Sequence, residues 1–327
     1  MSLRAVVCGF GVMGRNHARV IEALEGVELV GVMDPALDVD TWHDAPVAAD
    51  LAAVVALQPD YCVVATPTST HVEVAGTLAA AGIACLIEKP LAPTAEDAAT
   101  IVEVFERAGV KAAVGQIERF NPAIVALRER VQRGDIGELY QIATRRLSPF
   151  PTRIGDVGVT MDLATHDLDL ARYVIGSEYA SATAVTRHKS GRNHEDLIAI
   201  IGEFENAVVA SHIVNWLSPM KERVTVVTGD QGTFIADTLT ADLTLYRNGA
   251  VDHGWSELAQ FGGMIEGDMT RFAIAKREPL RAEHEAFCAY VRDEADAPVS
   301  LRDGAMTVEL ANRILAGDLA PQRRQNG

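Results

Sequence analysis

The stretch RAVVCGFGVMGRNHARV, residues 4–20, decides the fold. A short apolar run rich in valine is followed by Gly9, Gly11 and Gly14 in the spacing G-x-G-x-x-G, and then by residues that favour a helix. The first glycine permits a tight turn, the second lets backbone approach a pyrophosphate, and the third lets helix and strand pack closely. The helix start supplies a dipole and free N–H groups for an anion. The stretch therefore predicts a dinucleotide-binding strand, turn and helix.

The end of the next strand adds a second element of this site. Asp34 follows the apolar run VELVGVM directly and lies twenty residues after Gly14. A carboxylate there accepts hydrogen bonds from a ribose 2′-hydroxyl and repels a 2′-phosphate. Neither Pro35 nor Ala36 offsets that repulsion, so NAD is expected rather than NADP. The alternative is that Asp34 caps the turn that Pro35 begins.

The rest of the first 118 residues continues the same rhythm. Short β-branched runs alternate with alanine-rich helical segments up to about residue 117. This alternation predicts an α/β fold, a doubly wound parallel Rossmann sheet over residues 1–118. Residues 34–47 are barely enough for a crossover helix, so that helix is expected to be a single turn or absent.

Residues 119–327 follow a different pattern. A helical segment near 122–133 precedes several strand-like runs, and turn signals such as GDQG and EN separate some of these runs. The pattern predicts an α+β domain with an open antiparallel sheet, which also includes helices near 281–293 and 301–316. Helices are expected on only one face of this sheet. An apolar opposite face would need a partner, so a homodimer or homotetramer through the C-terminal sheet is expected.

Composition excludes several classes of protein. The 327 residues are 48% hydrophobic and carry a formal charge of −16, which disfavours nucleic acid as a partner. The four cysteines are scattered singly, so neither disulfides nor a metal site are expected. No signal peptide is visible, and the uncharged stretch of residues 74–87 is too short to span a bilayer. A soluble, cytoplasmic protein is expected.

The segment MDLATHDLDLARYV, residues 161–174, carries the candidate catalytic groups. At helical spacing Asp162, His166, Asp169 and Tyr173 share one narrow arc. The arc is either a solvated helix face with a surface histidine or the wall of an active site, and the segment alone does not decide between them. Asp167 points toward the apolar side and is expected to cap or buttress backbone.

An ordered set of motifs resembles the glucose-fructose oxidoreductase and inositol dehydrogenase (Gfo/Idh/MocA) oxidoreductases over essentially the whole chain. Within that family the chain looks most like the UDP-N-acetylglucosamine 3-dehydrogenase group. The motifs are GFGVMGRNHARV (9–20), TPTSTHVEVA (66–75), EKPLA (88–92), GQIERFNPA (115–123), DVGVTMDLATHDLDLARY (156–173) and NWLSPMKERVTVVTG (215–229).

The resemblance implies a site and an activity. The catalytic residues it implies are Lys89, Asp162 and His166, since a dehydrogenase needs a base for the hydroxyl proton. Substrate contacts are expected from Arg119, Arg153 and Asn215. The expected NAD-binding residues are Gly9, Phe10, Gly11, Val12, Met13, Gly14, Asp34, Thr66, Pro67, Thr68, His71, Glu88 and Lys89.

The expected substrate is a sugar or nucleotide sugar, specifically a UDP-N-acetylamino sugar oxidised at C3. A dehydrogenase for inositol or a free sugar is the alternative enzyme, and an NAD(H)-sensing protein without turnover is the alternative from another class. Which of Lys89 and His166 acts as the base stays open.

Overall fold

A computed structural model describes residues 2–151, 157–249 and 265–320 of the chain. Its contacts divide the chain into two compact units. The first unit comprises Met1–Phe120 and Arg277–Asn312, and the second comprises Asn121–Lys276 and Arg313–Gly327.

Eight α-helices lie in the described ranges. Their bounds are α1 Val12–Glu22, α2 Leu51–Ala56, α3 His71–Ala80, α4 Ala95–Ala108, α5 Pro122–Gln132, α6 Thr165–Ile175, α7 Pro279–Val291 and α8 Leu301–Ala316. Side chains cap two of these helices: Asp50 accepts from the Ala53 N–H at α2, and Thr94 accepts from the Asp97 N–H at α4. Within these ranges, none of the helices is both long enough and apolar enough to cross a lipid bilayer.

The first unit is built on a seven-stranded sheet. Its strands are β1 Leu3–Cys8, β2 Val27–Met33, β3 Thr41–Trp42, β4 Ala45–Ala48, β5 Tyr61–Val64, β6 Ala84–Glu88 and β7 Ala112–Gly115. Their order is β3-β4-β2-β1-β5-β6-β7, and every pairing is parallel except that of β3 with β4. The chain winds outward in both directions from β1, so the carboxyl ends of β1 and β5 flank the point where such folds bind ligands.

The short connection after Asp34 forms no helix, as the sequence predicts. Instead β3 and β4 make a small hairpin, and β4 adds to the sheet through Val47 opposite Val32. The Trp42 ring packs edge-on against the Phe10 ring at 4.8 Å between centroids. This indole covers part of the core at the edge where a longer connection would place a helix.

The second unit is built on an eight-stranded sheet that is antiparallel except for one pair. Its strands are β8 Leu139–Pro149, β9 Tyr179–Arg187, β10 Leu197–Phe204, β11 Val209–Asn215, β12 Leu217–Gly229, β13 Gly232–Asp237, β14 Asp242–Gly249 and β15 Ile265–Arg271. Their order is β15-β14-β13-β12-β8-β11-β10-β9, with β8 and β11 parallel. The predicted fold class, a Rossmann sheet followed by an open, mostly antiparallel sheet, is confirmed.

The contact-based division differs from the sequence-based boundary in one respect. The sequence pattern assigns everything after residue 118 to the second domain, whereas residues 277–312 join the first unit. Helix α7 explains the difference, because its Phe287 and Cys288 are buried in the core of the first sheet. The Phe287 ring lies 5.4 Å from the ring of Tyr61 on β5. An apolar helix stripe predicts burial but not which sheet it covers.

Candidate active site

The glycine turn between β1 and α1 is shaped by close backbone contacts. Gly9 has φ +88°, and a Cβ there would lie 2.5 Å from the Ala65 carbonyl carbon and from the Thr66 nitrogen. A Cβ on Gly14 would lie 1.9 Å from the Gly9 carbonyl oxygen. A Cβ on Gly11, in contrast, would meet no described atom within 4 Å. Two of the glycines therefore serve packing, and the third borders open space.

The start of α1 is open to an anion. Gly11 occupies the N-cap, and within the described part of the chain no side chain caps this helix and no acidic residue lies in its first turn. Val12 is largely exposed and Met13 is half-buried. Amide groups at a helix start attract phosphate through their N–H donors and the helix dipole. The turn therefore fits the pyrophosphate of a dinucleotide.

Asp34 joins the end of β2 to the glycine turn. Its Oδ2 accepts a hydrogen bond from the Phe10 N–H at 2.7 Å, and its Oδ1 accepts from the Ala36 N–H at 2.8 Å. The capping role considered from sequence is thus present. A carboxylate has about four acceptor positions, so two of them can still accept from a ribose hydroxyl.

The residues after β5 form a short 3₁₀ turn, Thr68–Thr70, that leads into α3. Thr66 is half-buried, and its hydroxyl accepts from the Thr70 hydroxyl at 2.9 Å. Pro67 is exposed and Thr68 is half-buried. These side chains border the carboxyl edge of the sheet, where the sequence places the cofactor.

His71 braces this edge from inside. Its ring is 1% exposed, with Nδ1 at 3.1 Å from the Leu91 carbonyl oxygen and Nε2 at 3.0 Å from that of Thr66. Burial lowers the pKa of His71, so the ring is neutral at neutral pH and donates from one nitrogen. The His71 ring thus contacts the loops that follow β5 and β6.

Glu88 ends β6 at the same edge, and Lys89 follows it directly. The Glu88 Oε1 lies 2.8 Å from the His17 Nε2, and its Oε2 accepts from the Lys89 backbone N–H at 3.1 Å. Lys89 is half-buried, and its peptide bond to Pro90 is cis. The backbone of Lys89 is thereby tied to a side chain that is itself held by α1.

Three buried side chains lie in or beside this contact, and sequence reasoning missed them: His17, Glu283 and His284. His17 Nδ1 lies 2.8 Å from His284 Nε2 on α7, and Glu283 lies beside His284 in the chain. A signal for their burial was present, because His17 follows Gly14 by three residues and precedes Ile21 by four, on the buried stripe of α1. Glu283 and His284 lie in the same way between Leu280 and Phe287.

In the second unit, the segment with Asp162 and His166 begins with a π-helical turn, Thr160–Ala164, before α6. The Thr165 N–H bonds to the Thr160 carbonyl, five residues back, so the spacing of a regular α-helix does not hold across Asp162. Such turns occur frequently at functional sites. Asp162 is half-buried and His166 is 8% exposed.

The start of this segment is closed by a carboxylate from the chain itself. Glu195 accepts from the Thr160 N–H at 2.9 Å, and the Glu195 carbonyl accepts from the Val159 N–H at 3.0 Å. Gly158 makes this approach possible, because a Cβ there would lie 2.2 Å from both carboxylate oxygens. The position of the Asp162 and His166 backbone is therefore set within the second unit.

Helix α6 is buried on nearly all sides, which corrects the picture of a solvated polar face. The Asp167 carboxylate pairs with the Arg146 side chain on β8, with Oδ2 at 2.8 Å from Nε and both side chains 3% exposed. Asp167 thus holds a guanidinium from a strand, a role that its place in the helix does not indicate. Arg172, near the end of the helix, binds Glu178 through Nε at 2.6 Å.

The predicted substrate residues have internal contacts or lie outside the described ranges. Arg119 is 9% exposed, and its Nη1 lies 3.5 Å from Asp303 Oδ2. Asn215 is half-buried at the end of β11 and accepts from the Leu217 N–H at 2.9 Å. Arg153 lies outside the described residues. Substrate contact by these three residues stays a prediction.

Curated proteins with similar sequences include several dehydrogenases. UDP-N-acetylglucosamine 3-dehydrogenase of Acidithiobacillus ferrooxidans is 36% identical over 190 residues, covering 56% of this chain and 58% of that protein. Inositol 2-dehydrogenase 2 of Saccharopolyspora erythraea is 31% identical over 225 residues, covering 64% of this chain and 65% of that protein. The chain thus spans about three fifths of the length of these curated relatives.

Solved structures extend the likeness to nearly the full chain. The UDP-N-acetylglucosamine 3-dehydrogenase from Acidithiobacillus ferrooxidans superposes with a TM-score of 0.84 at 26% identity, covering 96% of each chain. An oxidoreductase from Agrobacterium radiobacter, solved with NAD⁺, L-tartaric acid and magnesium, superposes with a TM-score of 0.83 at 20% identity, covering 97% of this chain and 96% of that one. At that identity the second likeness shows the fold alone.

Two family profiles match in succession. The profile of the oxidoreductase family with an NAD-binding Rossmann fold matches residues 3–116, and that of the GFO/IDH/MocA C-terminal domain matches residues 124–235. Together they span most of the chain. The first match includes the glycine turn, and the second includes His166. The chain therefore belongs to the GFO/IDH/MocA oxidoreductase family.

Proposed function

We propose that this protein is an NAD-dependent dehydrogenase that oxidises a secondary hydroxyl of a sugar, specifically C3 of a UDP-N-acetylamino sugar. The carboxyl edge of the first sheet carries the proposal. There the open start of α1 can hold a pyrophosphate, and Lys89, directly after β6, donates its backbone N–H to the Glu88 carboxylate. A phosphate-binding turn and an amine beside the same sheet edge suit hydride transfer from a carbinol.

Backbone and carboxylate groups of the first unit would hold the cofactor. The N–H groups at residues 11–14 would bind the pyrophosphate, and Asp34 would accept from the adenosine ribose. Because both Asp34 oxygens already face backbone donors, its charge is fixed at that place and disfavours a 2′-phosphate. NAD is therefore proposed over NADP. When bound, NAD supplies the electrophilic ring that accepts a hydride.

Three side chains would take part in removing the proton of the substrate hydroxyl. Oxidation of a secondary alcohol to a ketone removes a hydride from carbon and a proton from oxygen. We assign three roles: His166 accepts the proton, and Lys89 donates the hydrogen bond that stabilises the developing alkoxide. Asp162 orients the imidazole. A buried imidazole on a helix fixed by Glu195 suits a base that must keep its direction.

The substrate assignment is supported by the similarity to UDP-N-acetylglucosamine 3-dehydrogenase in sequence and in structure. Arg119 and Asn215 are proposed to contact this substrate, and an arginine suits a diphosphate. Oxidation of inositol or another free polyol is the second candidate, because inositol dehydrogenases are also similar, at 30% to 32% identity.

The outer face of the second sheet supports a proposed homo-oligomer. Val185, Ile201, Val209 and Ile213 are large apolar side chains that are exposed on neighbouring strands β9, β10 and β11. An exposed apolar patch on a sheet is typical of a surface that pairs with another copy. We propose a homodimer or homotetramer through this face, and the double variant Ile201→Asp/Ile213→Asp is expected to sediment as a smaller species.

The activity is tested by following NADH absorbance with NAD and a panel of UDP-sugars and free polyols. UDP-N-acetylglucosamine is expected to give the highest kcat/KM. His166→Asn and Lys89→Met are each expected to lower kcat by about 10²- to 10⁴-fold, the contribution typical of a general base. His188→Asn, which changes an exposed histidine, is the control and should keep full turnover.

Two outcomes would overturn the proposal. If no compound on the panel reduces NAD although NAD binds, an NAD(H)-sensing protein without turnover becomes the better account. If turnover is present but His166→Asn retains it, the base is another residue.

A further inference from the structure

A chain of buried side chains leads from Lys89 into the interior of the first unit. The Lys89 backbone N–H donates to Glu88, Glu88 contacts His17 at 2.8 Å, and His17 contacts His284 at 2.8 Å. Both histidines are 0% exposed. Their rings stand nearly perpendicular, with centroids 5.0 Å apart. The chain joins the end of β6 to α1 and α7, and none of its histidines has a part in the chemistry proposed above.

With both histidine rings neutral, one placement of protons satisfies the contacts. Glu88 accepts on both oxygens, so His17 Nε2 must carry the proton that faces it. A neutral His17 then has a bare Nδ1, which accepts from His284 only if the proton of His284 is on Nε2. His284 Nδ1 is left without a proton, and it has no hydrogen-bond partner among the described residues. Burial, and to a lesser degree His17, lowers the pKa of His284 well below its usual value, which keeps that ring neutral.

Glu283 is a second buried carboxyl group in this cluster. Its side chain is 0% exposed, and neither of its carboxyl oxygens has a hydrogen-bond partner within the described ranges. Burial raises the pKa of Glu283 well above its usual value, and the nearby Glu88 raises it further. Both effects favour the neutral, protonated form of Glu283.

We propose that His17 and His284 are positioning residues for Lys89, because their directed chain of hydrogen bonds fixes the Glu88 carboxylate on the Lys89 backbone amide. The proposal rests on the role assigned above to Lys89. Each donor points toward β6: His284 donates to His17, and His17 donates to Glu88. A Glu88 without this donor would be free to take another rotamer and release the Lys89 amide.

Stability alone does not account for such a chain. Burying polar rings and a carboxyl group costs free energy, and well-packed apolar side chains of similar size are often as stable or more so. Here the costs include an unpartnered imidazole nitrogen and an unpartnered carboxyl group within the described ranges. Local departures from good packing are expected where function requires them.

Paired variants at position 284 test the proposal. His284→Gln keeps an N–H donor near the Nε2 position, whereas His284→Leu keeps the volume and removes the donor. Leucine is expected to lower kcat by about 10- to 100-fold, the effect of a small displacement in an active site, with the KM for NAD changed less than about twofold. Glutamine is expected to restore most of the loss.

The matched control is His212→Leu in the second unit. His212 is also fully buried, and it bonds to Thr144 and Tyr179. This control is expected to lose stability but keep kcat at temperatures where it is folded. The proposal is overturned if His284→Leu keeps full kcat, or if glutamine and leucine at 284 lose activity equally.

A measurement on the unaltered protein avoids both unfolded variants and the need for turnover. Nitrogen NMR of histidine labelled with ¹⁵N distinguishes the two neutral tautomers and the imidazolium. His17 and His284 are both expected as neutral rings protonated on Nε2 at neutral pH. An imidazolium, or a proton on Nδ1 of either ring, would contradict the directed chain. If no sugar or polyol is oxidised, the proposed function fails, while this spectrum still decides whether the chain exists.

Discussion

Two helix starts in this protein carry the groups proposed for its chemistry. They differ in whether a side chain accepts hydrogen bonds from the first backbone N–H groups. At α1, within the described ranges, no side chain caps the helix, and a Cβ on Gly11 would meet no atom within 4 Å. At the π-helical turn before α6, Glu195 accepts from the Thr160 N–H, and a Cβ on Gly158 would collide with its carboxylate. One start is open to an anion, and the other already contains one.

The difference indicates how each helix contributes. Free amides at the start of α1 are available to an external anion, which is why we propose that this helix binds the cofactor. The second start is satisfied from within the chain, so the ligand has no part in placing Asp162 and His166. A glycine lies at each helix start: Gly11 leaves open space at α1, and Gly158 leaves room for the Glu195 carboxylate before α6.

The largest effect is expected from Gly14→Ala. The new Cβ would lie 1.9 Å from the Gly9 oxygen and 2.9 Å from the Gly9 carbonyl carbon, so helix and turn must separate. Forcing backbone apart in a packed region is expected to cost about 3 kcal/mol of unfolding free energy and to abolish NAD binding. Urea denaturation and calorimetric titration with NAD measure the two effects. A stable variant that still binds NAD would show that the turn is not closely packed.

Gly158→Ala is expected to act at the other helix start. The Cβ would displace the Glu195 carboxylate and leave the buried Thr160 N–H without its acceptor. Loss of such a hydrogen bond is expected to cost about 2 kcal/mol of unfolding free energy. It should also lower kcat through His166 while leaving the Kd for NAD unchanged. Denaturation, turnover and NAD titration together separate this result from that at Gly14, and a weakened affinity for NAD would contradict it.

Gly11→Ala sharpens the contrast between open and filled starts. Since no described atom lies near the new Cβ, the free energy of unfolding should not change. The methyl group would occupy space proposed for the pyrophosphate, so the Kd for NAD should rise about tenfold, equivalent to about 1.4 kcal/mol. Normal affinity for NAD in this variant would move the cofactor away from the turn.

The sequence predicts the helix start of α1 but not the contact that fills the start before α6. The glycine spacing and Asp34 are local patterns with a known physical reason, and they predict the first helix start correctly. Glu195 lies 35 residues from Thr160, so its contact depends on the second sheet bringing the two segments together. No local pattern in the helix reports that contact.

The candidate catalytic groups show the same limit. Spacing puts Asp162 and His166 on one arc but leaves open whether the arc faces solvent, and only the structure shows that His166 is 8% exposed. Asp167 accepts a hydrogen bond from Arg146, a residue of β8 that lies 21 positions earlier in the chain, because β8 packs against α6. For His17 and His284, helical spacing can predict burial, but their contact joins residues 267 positions apart.

The smallest effect is expected from Glu195→Gln, which separates charge from shape at the filled helix start. Glutamine keeps an oxygen that can accept from the Thr160 N–H, so the hydrogen bond survives and only the negative charge is lost. Carboxylate charge at a helix start contributes about 0.3 to 1 kcal/mol, so the unfolding free energy should fall by about that amount. Glu195→Ala removes the acceptor as well and should cost more, near the value expected for Gly158→Ala. Denaturation of the three variants in parallel gives the order. If glutamine costs as much as alanine, the charge itself holds the helix start, whereas equal stability of glutamine and wild type assigns the whole effect to the acceptor oxygen.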